Sequence, residues 1–446
     1  MLRTTSLTAG LILAVILNAA SAADRPFNHP PKGFVNLFNG KDLCCWRGRQ
    51  QDYSPYEEAK LSKEQLAAKQ EAWNADMAKH WRVDQAKGEI VSDGHGVYLT
   101  TAKDYGDFEF WVDWLMVSHN GDSGVYLRSI PQVQIWDPDN PGVAALGAPK
   151  GSGALWNNLD DNPGKWPLVK ADNPVGQWNT FRIKMIGARV WVWFNGKLTV
   201  DGQILDNYFD HATPRKPVPP RGPIELQTHG SEIRFRNVYV REISPKEANA
   251  TLDKRHDCGL KSIFNGKDFT GWGGPIDEYE VRDGAIMCRP NKGGTIHTIE
   301  EYSNFEARLE FKLPPAGNNG LAIRYPGQGD TAYVGMCELQ ILDDDAPQYK
   351  TLDPRQYCCS IYGVVPAYRG FLRPVGQWNF EHVIIKGTTI KVELNGSVVI
   401  DADVSKVHEF LANHPHPGLL RTKGSFGFAG HSDPVQFRNI RIKTLD

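Results

Sequence analysis

The chain has 446 residues, 41% of them hydrophobic, and its 50 Lys plus Arg against 52 Asp plus Glu give a formal net charge of -2. That length holds two ordinary globular domains with full cores. Charges of both signs are interspersed, which leaves no basic face for nucleic acid and no polybasic patch for a membrane surface.

Residues 1–22 combine Arg3, an apolar stretch from Leu7 to Leu17 and the tripeptide Ala20-Ser21-Ala22. A charged start, a short apolar core and an A-x-A site mark a secretory signal peptide, too short to span a bilayer. Export to the periplasm or beyond is expected, and no later run is apolar enough for a membrane span.

A first domain is expected over 33–243. It opens on the Asn39-Gly40 turn and carries a helical insertion at about 54–80, where Ser54-Pro55-Tyr56-Glu57 and Ser62-Lys63-Glu64-Gln65 both have capping-box form. Leu66, Trp73 and Met77 share one side of the second helix, which should pack on the domain surface. From Arg82 onward the period is two: Phe108, Phe110, Val112, Trp114 and Met116 face one way. Further strands are expected at 124–129, 133–136, 180–186, 189–194, 224–227 and 233–241. Residues 244–259 are polar and read as a linker. A second domain follows over 260–446.

The two domains say the same thing twice. Pro174-Val175-Gly176-Gln177-Trp178-Asn179 returns as Pro374-Val375-Gly376-Gln377-Trp378-Asn379, and each copy precedes an Asn-Gly hairpin, Asn195-Gly196 and Asn395-Gly396. A period this long is a duplicated domain. Many short strands with Gly and Pro at the turns indicate an all-β protein of two tandem jelly-roll sandwiches. The seven cysteines are odd in number, include two vicinal pairs and match no zinc spacing, so buried thiols with one or two bridges are expected rather than a metal cage.

Superposing the repeats on their hairpins shows polar residues common to both. Arg128 matches Arg324, Gln134 and Asp137 match Gln340 and Asp343, and His229 matches His431. Such groups are held by function or pair across strands as structure. Glu338 meets Gln132 in the other copy, so a carboxylate able to accept a proton is expected in the second repeat and absent from the first. Trp191 and Trp193 replace Lys391 and Glu393. On the face opposite Val190 and Val192 they form a stacking platform for a sugar ring, or are covered by the second repeat or the helical insertion. No nucleotide-binding, serine-hydrolase or zinc-protease motif is present. Asp343-Asp344-Asp345 lacks the spacing of a calcium loop, so no metal or other cofactor is indicated.

Leu37-Phe38-Asn39-Gly40-Lys41-Asp42-Leu43, Glu338-Leu339-Gln340-Ile341-Leu342-Asp343, the Pro-Val-Gly-Gln-Trp-Asn stretch and Phe235-Arg236-Asn237 together resemble the DUF1080 family, described as 3-keto-disaccharide hydrolase or 3-keto-glucoside 1,2-lyase/hydratase. The resemblance implies concanavalin A-like sandwiches and cleavage of 3-keto-glycosides by C2 proton abstraction, elimination and hydration, with a carbohydrate as the partner molecule. On that footing His431 or Glu338 is the expected base and Arg324 the partner of the oxyanion, with Asp343 and Gln340 orienting base or sugar. His229, Arg128, Gln134 and Asp137 take the same places in the first repeat, where Gln132 puts activity in question. The alternative is a lectin-like binding protein on the same fold. Oligomeric state is left open.

Overall fold

The structure is a computed structural model that describes residues 28–446; the expected signal peptide lies outside the described residues. Four antiparallel sheets form two sandwiches with one strand order. In the first, an eight-stranded sheet runs Lys197–Ile204, Arg189–Phe194, Asn179–Ile186, Phe108–Met116, Ile233–Glu242, Glu89–Ser92, Trp81–Asp84, with Val35–Asn36 added beside Ile233–Glu242. It packs on a five-stranded sheet in the order Trp46–Arg49, Tyr98–Thr101, Ile224–Leu226, Asp122–Leu127, Ile130–Trp136. The second sandwich repeats both orders, its five-stranded sheet running Trp272–Gly273, Gly293–Tyr302, Gly424–His431, Asn318–Tyr325, Cys337–Leu342. The all-β, duplicated architecture expected from the sequence is present. Alternation places Phe108, Phe110, Val112 and Trp114 in the first core, against Val125, Val133 and Ile135 of the facing sheet.

The recurring hexapeptide serves the fold. Gly176 and Gly376 take positive φ in matching turns, and the Asn179 and Asn379 side chains accept the Asn173 and Arg373 amides and the Asn195 and Asn395 side chains. Asn195 and Asn395 adopt φ of 47° and 50° ahead of glycines at 77° and 88°, the two positive values a type I′ turn needs. The sequence repeats because each copy must build the same hairpin and clamp it.

The insertion forms helices Pro55–Glu58 and Lys63–His80. Ser62 and Gln65 make the full capping box, whereas Ser54 makes only the forward bond to Tyr56. Trp73 is the buried anchor of the longer helix. The polar linker folds as a third helix, Pro245–Lys254, because Ala248 and Leu252 find an apolar seat against Trp191 and Phe380. Trp191 is 7% exposed beneath them, so the sugar platform expected of it is corrected: the second half and the linker helix cover it. Trp193 is half-buried and lies under the Arg182 and Lys184 head groups.

The halves are joined through a buried carboxylate. Glu393 accepts the Arg189 Nε at 2.7 Å and a second Arg189 nitrogen, with Arg255 at 3.8 Å and His382 at 3.9 Å. Burial alone would raise its carboxyl, but Arg189 and His382 hold it well below the usual carboxylate range. The seven cysteines are all free thiols, which corrects the expectation of a bridge. Among the described residues no helix is long and apolar enough to cross a membrane, and no group of three or more His, Cys, Asp or Glu gathers as a metal site.

Candidate active site

Of the two faces of each five-stranded sheet, one is apolar and buried in the core and the other is polar. On strand Cys337–Leu342, Leu339 and Ile341 enter the core, so Glu338 and Gln340 stand on the polar face. Glu338 bends over Gly320 of the next strand, where an added Cβ would lie 2.0 Å from its Oε1; the glycine is needed for the carboxylate to lie there. His431, at the end of strand Gly424–His431, brings Nε2 to 3.6 Å from the same oxygen. The Glu338 side chain is 6% exposed and that of His431 is 48% exposed, so the pair links the sheet surface to solvent. Gln340 donates to Asn318 beside them.

The Glu338 carboxylate raises the His431 pKa above its ordinary value, more than burial lowers it, with Asp330 and Asp433 adding to the rise. The attraction is therefore present below the ordinary histidine pKa of about 6.5 and lost as pH rises through the elevated value. Histidine side-chain NMR should show His431 titrating above its free value in the wild type and moving down in Glu338→Gln. An unmoved titration would break the assigned pairing.

One register row crosses the whole second sheet. Gly273 faces His297, His297 faces Gly427, Gly427 faces Ala322, and Ala322 faces Glu338. With strands about 4.8 Å apart, Gly427 and Ala322 put no side chain longer than a methyl between His297 at one end of the row and Glu338 at the other. In the first sandwich the places of Gly427, Ala322 and Ala429 are taken by Glu225, Tyr126 and Gln227, and all three are buried. Tyr126 and Tyr98 donate to Asp52 of the insertion, Arg49 pairs with Glu225 at 3.1 Å, and Gln227 donates to Tyr98. The first row is filled by its own side chains.

The first histidine nevertheless has a carboxylate, which corrects the expectation drawn from Gln132. His229 Nδ1 lies 3.2 Å from Asp122, and Gln134 donates to Asp122 and accepts from Gln132. Asp122 occupies the position of Asn318, as Gln132 occupies that of Glu338, so acid and amide have changed strands between the copies. Comparison of the repeats for shared residues passes over such an exchange. It also passes over His297, which matches Thr100.

Both arginines leave the candidate site. Arg324 gives its donors to the Ser303, Gly387 and Arg421 carbonyls at 2.7, 2.8 and 2.8 Å, and Arg128 to Gly106, Gly187 and Pro219. Each ties loops at the sandwich edge. Asp137 and Asp343 are corrected likewise: they accept backbone amides of Asn120 and Asp139, and of Ala316, and so close turns. Arg324→Met should strand three carbonyls and cost on the order of 3 kcal/mol in urea unfolding, while folded protein keeps its turnover. A large fall in kcat with unchanged stability would return the arginine to the chemistry.

A family model of the 3-keto-alpha-glucoside-1,2-lyase-like domain matches residues 33–241 and again 259–443. A curated 3-keto-disaccharide hydrolase from Bacteroides thetaiotaomicron is 27% identical over 232 residues, 42% of this chain and 79% of that protein. A crystal structure from Parabacteroides distasonis, provisionally assigned to the glycosyl hydrolases, is 30% identical and covers 42% of this chain and 99% of its own, with a TM-score of 0.38. A second from the same organism is 26% identical over 42% of this chain and 95% of its own, with a TM-score of 0.37.

Proposed function

This chain belongs to the 3-keto-alpha-glucoside-1,2-lyase-like family, and from that we propose that its second sandwich cleaves 3-keto-glycosides, 3-keto-disaccharides among them, by elimination and hydration. The observation that carries the reading is the Glu338–His431 pair, which ends a register row where only Gly427 and Ala322 stand between Glu338 and His297. A sugar ring needs such small residues beneath it, and the side chains that fill the first sandwich leave no equivalent. Residues 1–22 are part of the reading: they direct the protein out of the cytoplasm, where glycosides are met.

A ketone at C3 makes the C2 hydrogen acidic. Glu338 takes that proton, and the C–H electron pair forms the C2–C3 enolate. His431, whose protonated form Glu338 favours, donates to the growing oxyanion, in the place expected of Arg324. The enolate reforms the ketone, C1 and C2 become doubly bonded, and the C1–O pair leaves with the aglycone oxygen, which takes a proton from His431. Water then adds its hydroxyl to C1 as its proton passes to the neutral His431, and protonated Glu338, exchanged with solvent once the aglycone has left, delivers the proton to C2; both groups are restored and the sum is hydrolysis. An ordinary glycosidase instead sets two carboxylates on either side of the bond, and the far end of the row here carries His297.

The test is incubation of the protein in D2O with a 3-keto-disaccharide and, separately, with its unoxidised parent. Release from the ketone alone, with deuterium at C2 of the product, is expected. Cleavage of the parent at a comparable rate, or product without deuterium, would refute the elimination.

A further inference from the structure

Between the sandwiches lies a cleft of about 320 Å³, at the small end of ligand pockets, lined by seven residues of the first sandwich, Pro245 of the linker helix and eight residues of the second sandwich. Its polar centre is Arg373. The side chain is 9% exposed, and Nη1 is engaged by Asn249 and by the Trp378 carbonyl at 2.6 Å, while Nη2 is buried and has no hydrogen-bond partner. The opposing group is Asp107, whose Oδ1 accepts the Gly187 amide at 2.9 Å and whose Oδ2 stands 3.9 Å from Arg373 Nη2. That gap is too wide for a hydrogen bond.

We propose that this cleft is a second carbohydrate-binding site, created by the duplication and taking a neutral sugar through a hydroxyl placed between Arg373 and Asp107. A hydroxyl accepts from the guanidinium and donates to the carboxylate at once. An anion would satisfy Arg373 but be opposed by Asp107 and Glu242, both in the lining; a cation would meet Arg373 and Arg221; an apolar group would leave the buried donor unpaired. Phe371, Leu372 and Pro220 supply apolar walls for the C–H face of a ring. The site is peculiar to the tandem arrangement: Arg373 replaces Asn173 of the first repeat, and Asp107 lies where the second repeat has Asn304. It does not depend on elimination at Glu338.

D-glucose is the probe, titrated into the full chain by calorimetry, with acetate as the anionic control. Arg373→Met removes the donor. Gln377→Trp, on the exposed rim, obstructs the mouth without touching packed groups. Wild type is expected to bind one more equivalent of glucose than either variant, or to bind it at least tenfold more tightly, and to show no acetate binding that the variants lose. Should Arg373→Met fail to fold, Gln377→Trp decides alone. Equal glucose binding in wild type and Gln377→Trp, no glucose binding at all, or acetate held by wild type and lost from the variants, would overturn the proposal. Because the readout is binding in the cleft, an inactive but glucose-binding protein would sink the elimination reading and leave this one standing.

Discussion

Glu338→Gln is expected to lower kcat for a 3-keto-disaccharide by two to four orders of magnitude, the usual worth of a positioned general base. The amide keeps the shape of the side chain and its place over Gly320, so folding should be little changed. It cannot accept a proton, and it no longer raises the His431 pKa through its charge. The matching change in the first sandwich, Asp122→Asn, breaks an ion pair of the same kind with His229 yet should leave most of the turnover, because Glu225, Tyr126 and Gln227 occupy the ground a substrate ring would need. Turnover of Glu338→Gln within a few-fold of wild type, or its collapse in Asp122→Asn, would place the chemistry elsewhere.

The second large effect is on stability. Glu393→Ala should cost about 3–5 kcal/mol, since removing one partner of a buried ion pair leaves the other charge without compensation. Arg189, whose side chain is 10% exposed, would lose both of its carboxylate bonds, Arg255 its ion-pair partner, and His382 the farther of its two carboxylates, Glu306 remaining at 3.0 Å. Urea unfolding followed by tryptophan fluorescence suits the test because Trp191 lies in the same interface. A loss under about 1 kcal/mol, the worth of an exposed pair, would mean that the sandwiches are held by apolar contact alone. The conservative Glu393→Gln should also be destabilising, for it removes the charge and keeps the volume.

The duplication, the all-β class, the Asn-Gly hairpins and the alternation of strand Phe108–Met116 were all legible in the amino-acid order, because each is a local consequence of residue type: positive φ, a period of two, a turn that only certain residues close. Glu338, Gln340 and His431 were legible as candidates, and the shared face of Glu338 and Gln340 followed from strand parity. The roles of Arg128, Arg324, Asp137 and Asp343 were not. A buried arginine that ties three carbonyls and one that meets an oxyanion have the same neighbours in sequence, and only the fold says which acceptors come within reach. Trp191 was likewise undecidable until the second sandwich and helix Pro245–Lys254 came down on it. Asp122 beside His229, and the row that sets Gly427 and Ala322 between His297 and Glu338, were decided by tertiary structure alone. They arise where different strands are laid side by side, and a register between strands far apart in the chain is fixed by how the whole core packs, not by any single stretch of it.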